Sequence, residues 1–277
     1  MSDVAAGEGI QQEPASREPL LSVEGISVRF AGVKALTDVS FSVQPGELFA
    51  VIGPNGAGKT SLFNVLSRVY QPVSGKVTFD GRDLLKLKAY QVARAGIART
   101  FQNLGQFPNT TVLDYLLLGR HTRMRSGILL GGIYVGPAAR EEKKNRAYCL
   151  RLLELLDLAR WRDFPLRSLP YGLQKRADIA RALALEPKLL LLDEPVAGMN
   201  VDETEDIAAV ILDIKEQLGV TQILVEHDMA LVMGIADRVL VLDFGRAIAQ
   251  GVPAEVQANP NVIKAYLGEE FSMSFNP

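Results

Sequence analysis

Cysteine is nearly missing from this sequence: Cys149 is the single one in 277 residues. An internal disulfide is therefore excluded, and the usage fits a reducing cytosol. Cys149 lies in a leucine-rich helical stretch, which reads it as a small buried apolar side chain rather than a nucleophile. Charge of one sign is missing too. Lys and Arg total 30 against 32 Asp and Glu, a formal net charge of −2, so no overall basic field draws the chain to nucleic acid. No apolar run approaches the roughly 18 residues needed to cross a bilayer. Met1 to Pro19 is polar and acidic, without the basic and apolar regions of a secretion signal, and reads as a structureless tail (1–19). There is no internal repeat. The chain is expected to be soluble by itself, leaving open a partner that holds it at a membrane.

What is present centres on Gly53-Pro54-Asn55-Gly56-Ala57-Gly58-Lys59-Thr60-Ser61. This fits G-x-x-x-x-G-K-[ST], the phosphate-cradling P-loop pattern. A triphosphate needs backbone N–H groups pointing inward, and side chains at the glycine positions would block that approach. Lys59 supplies a compact charge for the β/γ-phosphates, and the Thr60 hydroxyl can ligate Mg²⁺. Leu48 to Ile52, before the loop, is an unbroken apolar run typical of a strand buried on both faces. Leu62, Leu66 and Val69, after it, recur at helical spacing, so the loop sits at a helix N-terminus where the dipole favours anions.

Elsewhere, Leu20 to Val43 alternates with period 2, which predicts half-exposed antiparallel strands. Phe30, at the end of its first run, is by itself as readily a core aromatic as a ligand contact. Lys76 to Phe79 reads as a strand closed by an Asp80-Gly81 turn. Gln102, in a loop, means little alone. Residues 111–169 turn helical, with Asn145 to Leu158 carrying one broad apolar face. Gly127 to Gly136 is apolar and flanked by arginines; it reads as a packed loop, or as a surface that meets a membrane partner or lipid headgroups. Leu169 to Arg176 precedes a helix halted at Pro187. Leu189 to Leu192 leads into Asp193-Glu194, a buried strand expected to neighbour the P-loop strand and deliver a carboxylate beside the P-loop. Asp193 and Glu194 point opposite ways on a strand and need separate jobs unless the chain turns between them. Asp202 to Leu218 predicts a helix stopped by Gly219, and Thr221 onward a strand carrying His227 to its C-terminal end. Arg238 to Gln250 predicts a hairpin, and Ala254 to Leu267 a final helix. Strands alternating with helices predict a mostly parallel α/β sheet with ligand at the strands' carboxyl ends.

On these ordered motifs the chain resembles, over residues 20–270, the ATP-binding subunit of an ABC transporter. The resemblance implies a P-loop NTPase (RecA-like) α/β core with an antiparallel β subdomain and an inserted α-helical subdomain at about 104–182, followed by a tail (271–277). It implies that Gly53–Ser61 bind ATP, that Phe30 stacks on adenine, and that Gln102, Thr60 and Asp193 approach Mg²⁺. Glu194 would polarise the attacking water, and His227 would contact the γ-phosphate, with Lys59 and Gln102 completing the catalytic set. Two motifs depart from the commonest family pattern. The signature, usually Leu-Ser-Gly-Gly-Gln, reads Leu169-Pro170-Tyr171-Gly172-Leu173, which removes a serine that would reach the opposing subunit's ATP. The segment after Glu194 ends in Asn200 where an acid is usual.

Those departures, with Arg99 to Asn103, Val225 to Asp228 and Val262 to Glu270, are similar to the branched-chain amino-acid importer subfamily, and to the larger of its two ATPase subunits. That implies a second ATPase subunit, two transmembrane permeases, an external solute-binding protein reached indirectly, and a place on the cytoplasmic face of the cell membrane. Relatives carrying urea, amides or aromatic acids share these motifs. A soluble ABC ATPase acting on DNA or ribosomes usually has two cassettes or a long coiled-coil insertion. A different P-loop enzyme, a GTPase or small-molecule kinase, leaves the Gln102, Gly172 and His227 pattern unexplained.

Overall fold

The computed structural model describes residues 18–30, 32–101, 109–121 and 137–273. Residues 1–17, Gln102, the apolar segment 127–136 and residues 274–277 lie outside the described residues. In chain order the strands are β1 (Leu21–Phe30), β2 (Val33–Val43), β3 (Leu48–Ile52), β4 (Ser74–Phe79), β5 (Arg82–Asp83), β6 (Ile97–Arg99), β7 (Leu189–Asp193), β8 (Thr221–Val225), β9 (Arg238–Asp243) and β10 (Arg246–Gly251). The helices are α1 (Lys59–Leu66), α2 (Ala89–Ala95), α3 (Val112–Arg120), α4 (Pro137–Leu155), α5 (Tyr171–Leu183), α6 (Val201–Leu218), α7 (Met229–Ile235), α8 (Pro253–Gln257) and α9 (Pro260–Met273).

The alternating strands build a four-stranded antiparallel sheet, ordered β2-β1-β4-β5. The unbroken apolar strands build a second, six-stranded sheet, ordered β10-β9-β3-β8-β7-β6 and parallel except at β10. Successive residues on a strand face opposite ways, so each apolar strand fills two cores at once. Leu48, Ala50 and Ile52 of β3, with Leu190 and Leu192 of β7, join the core formed with α3, α4, α5 and α6. Phe49, Val51, Leu189 and Leu191 join the core shared with α1 and the antiparallel sheet. Both cores hold the six-stranded sheet rigid, and its carboxyl ends carry the site.

Four details differ from the sequence reading. Asp193 does not follow a strand adjacent to the P-loop strand: β8 lies between β3 and β7, with Val225 in register with both Val51 and Asp193. A short strand, β6, precedes Gln102; three residues between a helix and a loop carry too little periodicity to announce it. The last helix is two, α8 and α9, because Pro260 has no N–H to continue a helix but fits the first position of a new one. Finally, α5 begins at Tyr171, so Tyr171, Gly172 and Leu173 form its first turn instead of preceding it.

Candidate functional site

The P-loop is wedged between β2 and the β9–β10 hairpin, and two glycines show why. Gly53 has φ +148°, and a Cβ there would lie 2.0 Å from the Leu242 carbonyl oxygen. Gly58 has φ +104°, and a Cβ there would lie 2.6 Å from the Ala35 carbonyl oxygen. The hairpin clamps the loop: Gly245 N donates to Ala57 O at 3.0 Å, and Thr37 N to Gly245 O at 2.8 Å. The Lys59 side chain is buried and its ammonium donates to the carbonyls of Gly53 and, at 2.9 Å, Pro54. The loop so formed borders a cavity of about 280 Å³ lined by Val33, Lys34, Ala35, residues 55–61, Glu194 and His227.

Across that cavity, β7 and β8 present the acidic side. Their ends are joined by Glu194 N donating to Val225 O at 2.9 Å. The chain turns at once: Glu194 has φ +48°, a left-handed conformation costing a non-glycine residue roughly 1–2 kcal/mol. The turn gives the two neighbouring acids their separate jobs. The Asp193 carboxylate is wholly buried and paired with Arg99, Oδ2 to Nη2 2.6 Å. Among the described residues its Oδ1 has no hydrogen-bond partner. Glu194 instead faces the cavity, its Oε1 2.9 Å from His227 Nε2.

The structure thus brings Asn55, Gly56, Ala57, Gly58, Lys59, Thr60, Ser61, Glu194 and His227 around one cavity. Gly53 and Pro54 shape the loop from behind. Phe30 stands outside the lining, half-exposed at the end of β1 with its ring edge-on to Tyr70, centroids 4.5 Å apart. Tyr171, Gly172 and Leu173 lie elsewhere, where Gly172 and Leu173 border a small groove with Glu203 and Asp206 of α6. Asn200 caps the helix that follows it. Its side chain accepts from Glu203 N at 2.9 Å, and its N–H donates back to the Glu203 carboxylate at 3.2 Å, closing the first turn of α6. An amide fills that position as well as an acid.

Sequence reasoning missed the residues that hold the site. Arg99 reaches Asp193 and also Asn64 of α1, Nη1 to Oδ1 2.8 Å, bridging the P-loop helix and β7. The main chain at and after Arg99 is gripped from α5, where Arg181 donates to Arg99 O at 3.0 Å and Asp178 accepts from Phe101 N at 2.6 Å. Tyr115 of α3 donates to Asp178 at 2.9 Å, and burial pushes its phenol pKa up. Two opposite charges three residues apart within the apolar second half of α5, Asp178-Ile179-Ala180-Arg181, were the available signal for the last group.

Comparison with known proteins gives the class of molecule. The ABC transporter family pattern matches residues 36–197, and the chain belongs to that family as one of its ATP-binding ATPases, with a P-loop NTPase fold. A second, shorter pattern, that of the branched-chain amino acid ATP-binding cassette transporter, matches residues 248–272. The relatives narrow the kinship. The chain is 40% identical over 252 residues to the high-affinity branched-chain amino acid transport ATP-binding protein BraF of Pseudomonas aeruginosa, covering 91% of this chain and 98% of that one. It is 41% identical over 255 residues to LivG of Salmonella typhimurium, covering 91% and 99%. Among solved structures it resembles a nucleotide-free ATP-binding cassette from an ABC transporter, with TM-score 0.79, 31% identity, and 90% and 99% of the two chains covered. An ATP-binding cassette in its ADP conformation matches equally, with TM-score 0.79, 31% identity, and 91% and 100% covered.

Proposed function

We propose that this chain is the ATP-hydrolysing subunit that powers an importer for branched-chain or related hydrophobic amino acids. The reading is carried by one observation: a P-loop with its buried lysine faces Glu194 and His227 across a single cavity. The kinship to BraF and LivG supports the solute class. In this reading the N–H groups of residues 55–60 turn to phosphate oxygens, and the Lys59 ammonium exchanges its carbonyl partners for them. Such a site accelerates phosphoryl transfer mainly by positioning and by stabilising charge. Glu194 accepts a hydrogen bond from the attacking water and His227 contacts the γ-phosphate side.

The donors fit Mg²⁺ as well. Thr60 offers a hydroxyl at the cavity wall, and Asp193 has a buried oxygen without a partner among the described residues. Those are hard oxygen ligands, and Mg²⁺ held through phosphates needs few of them. When bound it neutralises charge on the phosphates. In this reading Phe30, half-exposed at the end of β1, is the ring that stacks on adenine. The first turn of α5, lacking a side-chain cap, addresses the nucleotide on an opposing ATPase subunit with its N–H groups. We take the region of about 104–182, which holds α3, α4 and most of α5, as the helical subdomain of that contact.

Among the described residues no helix is long and apolar enough to cross a membrane. Attachment at the cytoplasmic face through two permeases, with a solute-binding protein outside, follows from the proposed role. The test is ATP hydrolysis by the purified chain with and without vesicles carrying the co-expressed permeases. Slow basal turnover that rises in their presence is expected, together with loss of nucleotide affinity in Lys59→Ala. Turnover indifferent to the permeases, or unchanged binding by Lys59→Ala, contradicts the proposal.

A further inference from the structure

Glu226 has none of the roles described so far, yet only 3% of its surface is exposed and it stands one residue before His227. A buried carboxylate is costly unless its oxygens are bonded. Both are, and to two different loops. Oε1 accepts from Val196 N at 2.9 Å, and Oε2 accepts from His227 N at 3.0 Å. Val196 lies two residues past Glu194, in the turn whose first residue is held at φ +48°. A strained residue keeps such a conformation only when its surroundings over-determine it. The turn has further internal bonds, Ala197 N to Glu194 O at 3.3 Å and Met199 N to Val196 O at 3.1 Å. Neither ties it to the loop that carries His227; beyond the Glu194 N to Val225 O bond at the strand ends, the Glu226 carboxylate does.

We infer that Glu226 is a positioning residue, whose carboxylate clasps the Glu194 turn to the His227 loop and so sets the 2.9 Å approach of those two side chains. The inference rests on the roles proposed for Glu194 and His227. Burial pushes the Glu226 carboxyl up from its ordinary range, the two N–H bonds oppose that, and the titratable groups facing it are Glu194 and His227. Carboxylate chemistry is essential to the clasp. An ionised acid can accept at both oxygens, whereas a carboxamide of the same shape offers one oxygen and one NH₂. Glu226→Gln therefore sets a donor against one of the two N–H groups, opening half of the clasp while keeping the packed volume.

The experiment uses the full chain with ATP and Mg²⁺. Glu226→Gln should lower kcat by about tenfold or more while affinity for a fluorescent ATP analogue stays within about twofold. Adding Glu226→Gln to His227→Ala should cost little beyond His227→Ala alone, because both act through one pair. Unchanged kcat, a parallel loss of kcat and affinity, or fully multiplicative effects would each overturn the inference. Amide hydrogen exchange on the unaltered protein tests it without any variant. The Val196 amide should be protected, and exchange at the rate of an open loop would overturn the clasp. Glu194→Gln, measured alongside, reads the base assignment separately: normal hydrolysis there defeats that assignment. An inactive Glu194→Gln beside a fully active Glu226→Gln defeats the clasp alone.

Discussion

Replacing Arg99 by methionine isolates the electrostatics beneath the site. Methionine keeps most of the apolar stem and gives up the guanidinium, whose carbon is 5.7 Å from the Phe63 ring centroid. It removes the 2.6 Å contact with Asp193 and the bonds to Asn64 and Ser67. Asp193 is then a carboxylate with 0% side-chain exposure and, among the described residues, no partner on either oxygen. Breaking a buried ion pair from one side costs about 3–5 kcal/mol. Arg99 itself is 22% exposed, so the low end applies, about 3 kcal/mol. For a chain of this size that is a fall in Tm of about 6–12 °C. Adding Asp193→Asn removes the stranded charge, and the double variant should recover to within about 1–2 kcal/mol of the parent. Urea unfolding of the nucleotide-free protein, followed by circular dichroism, measures all three. A single variant within about 1 kcal/mol of the parent, or a double variant no better than the single, refutes the reasoning.

Other expectations follow from the same geometry. Asn200→Ala should destabilise by about 1 kcal/mol through loss of the α6 cap, whereas Asn200→Asp should be close to neutral, both by thermal unfolding. Gly58→Ala places a methyl against the Ala35 carbonyl at positive φ, so nucleotide affinity measured by calorimetry should drop sharply; unchanged affinity would mean the loop is not wedged. Burial holds the Cys149 thiol up at about 11 against an ordinary 9.0. The unfolded chain then loses this proton first as pH rises, so stability is full below pH 9 and falls between pH 9 and 11. Compared with Cys149→Ala, that excess loss should be on the order of 2–3 kcal/mol. Equal pH profiles for the two proteins would contradict it.

How much of this could be read from the sequence depended on whether the signal was local. The P-loop is a run of nine consecutive residues whose glycines answer to one loop's own geometry, and Gly53 and Gly58 sit where their missing side chains are needed. Long apolar strands and the Asp243–Arg246 hairpin were legible for the same reason, since period and turn chemistry lie within a few residues. The insertion of β8 between β3 and β7 was not, because strand order is decided by packing between segments far apart in the chain. Arg99 and Glu226 were invisible as functional residues for a related reason. Their partners, Asp193 and Val196, are 94 and 30 residues away. Of the residues assigned by resemblance, Glu194 and His227 meet on the acidic side of the cavity, and Phe30 rests on Tyr70 outside its lining.

The most direct measurement is a paired one on Glu194→Gln, with nucleotide binding and single-turnover hydrolysis followed in the same preparation with Mg²⁺. A site that holds the triphosphate by loop amides and Lys59 and activates water through Glu194 predicts ATP binding close to that of the parent and hydrolysis slowed by about a hundredfold or more. Hydrolysis at the parent's rate by Glu194→Gln would contradict the account.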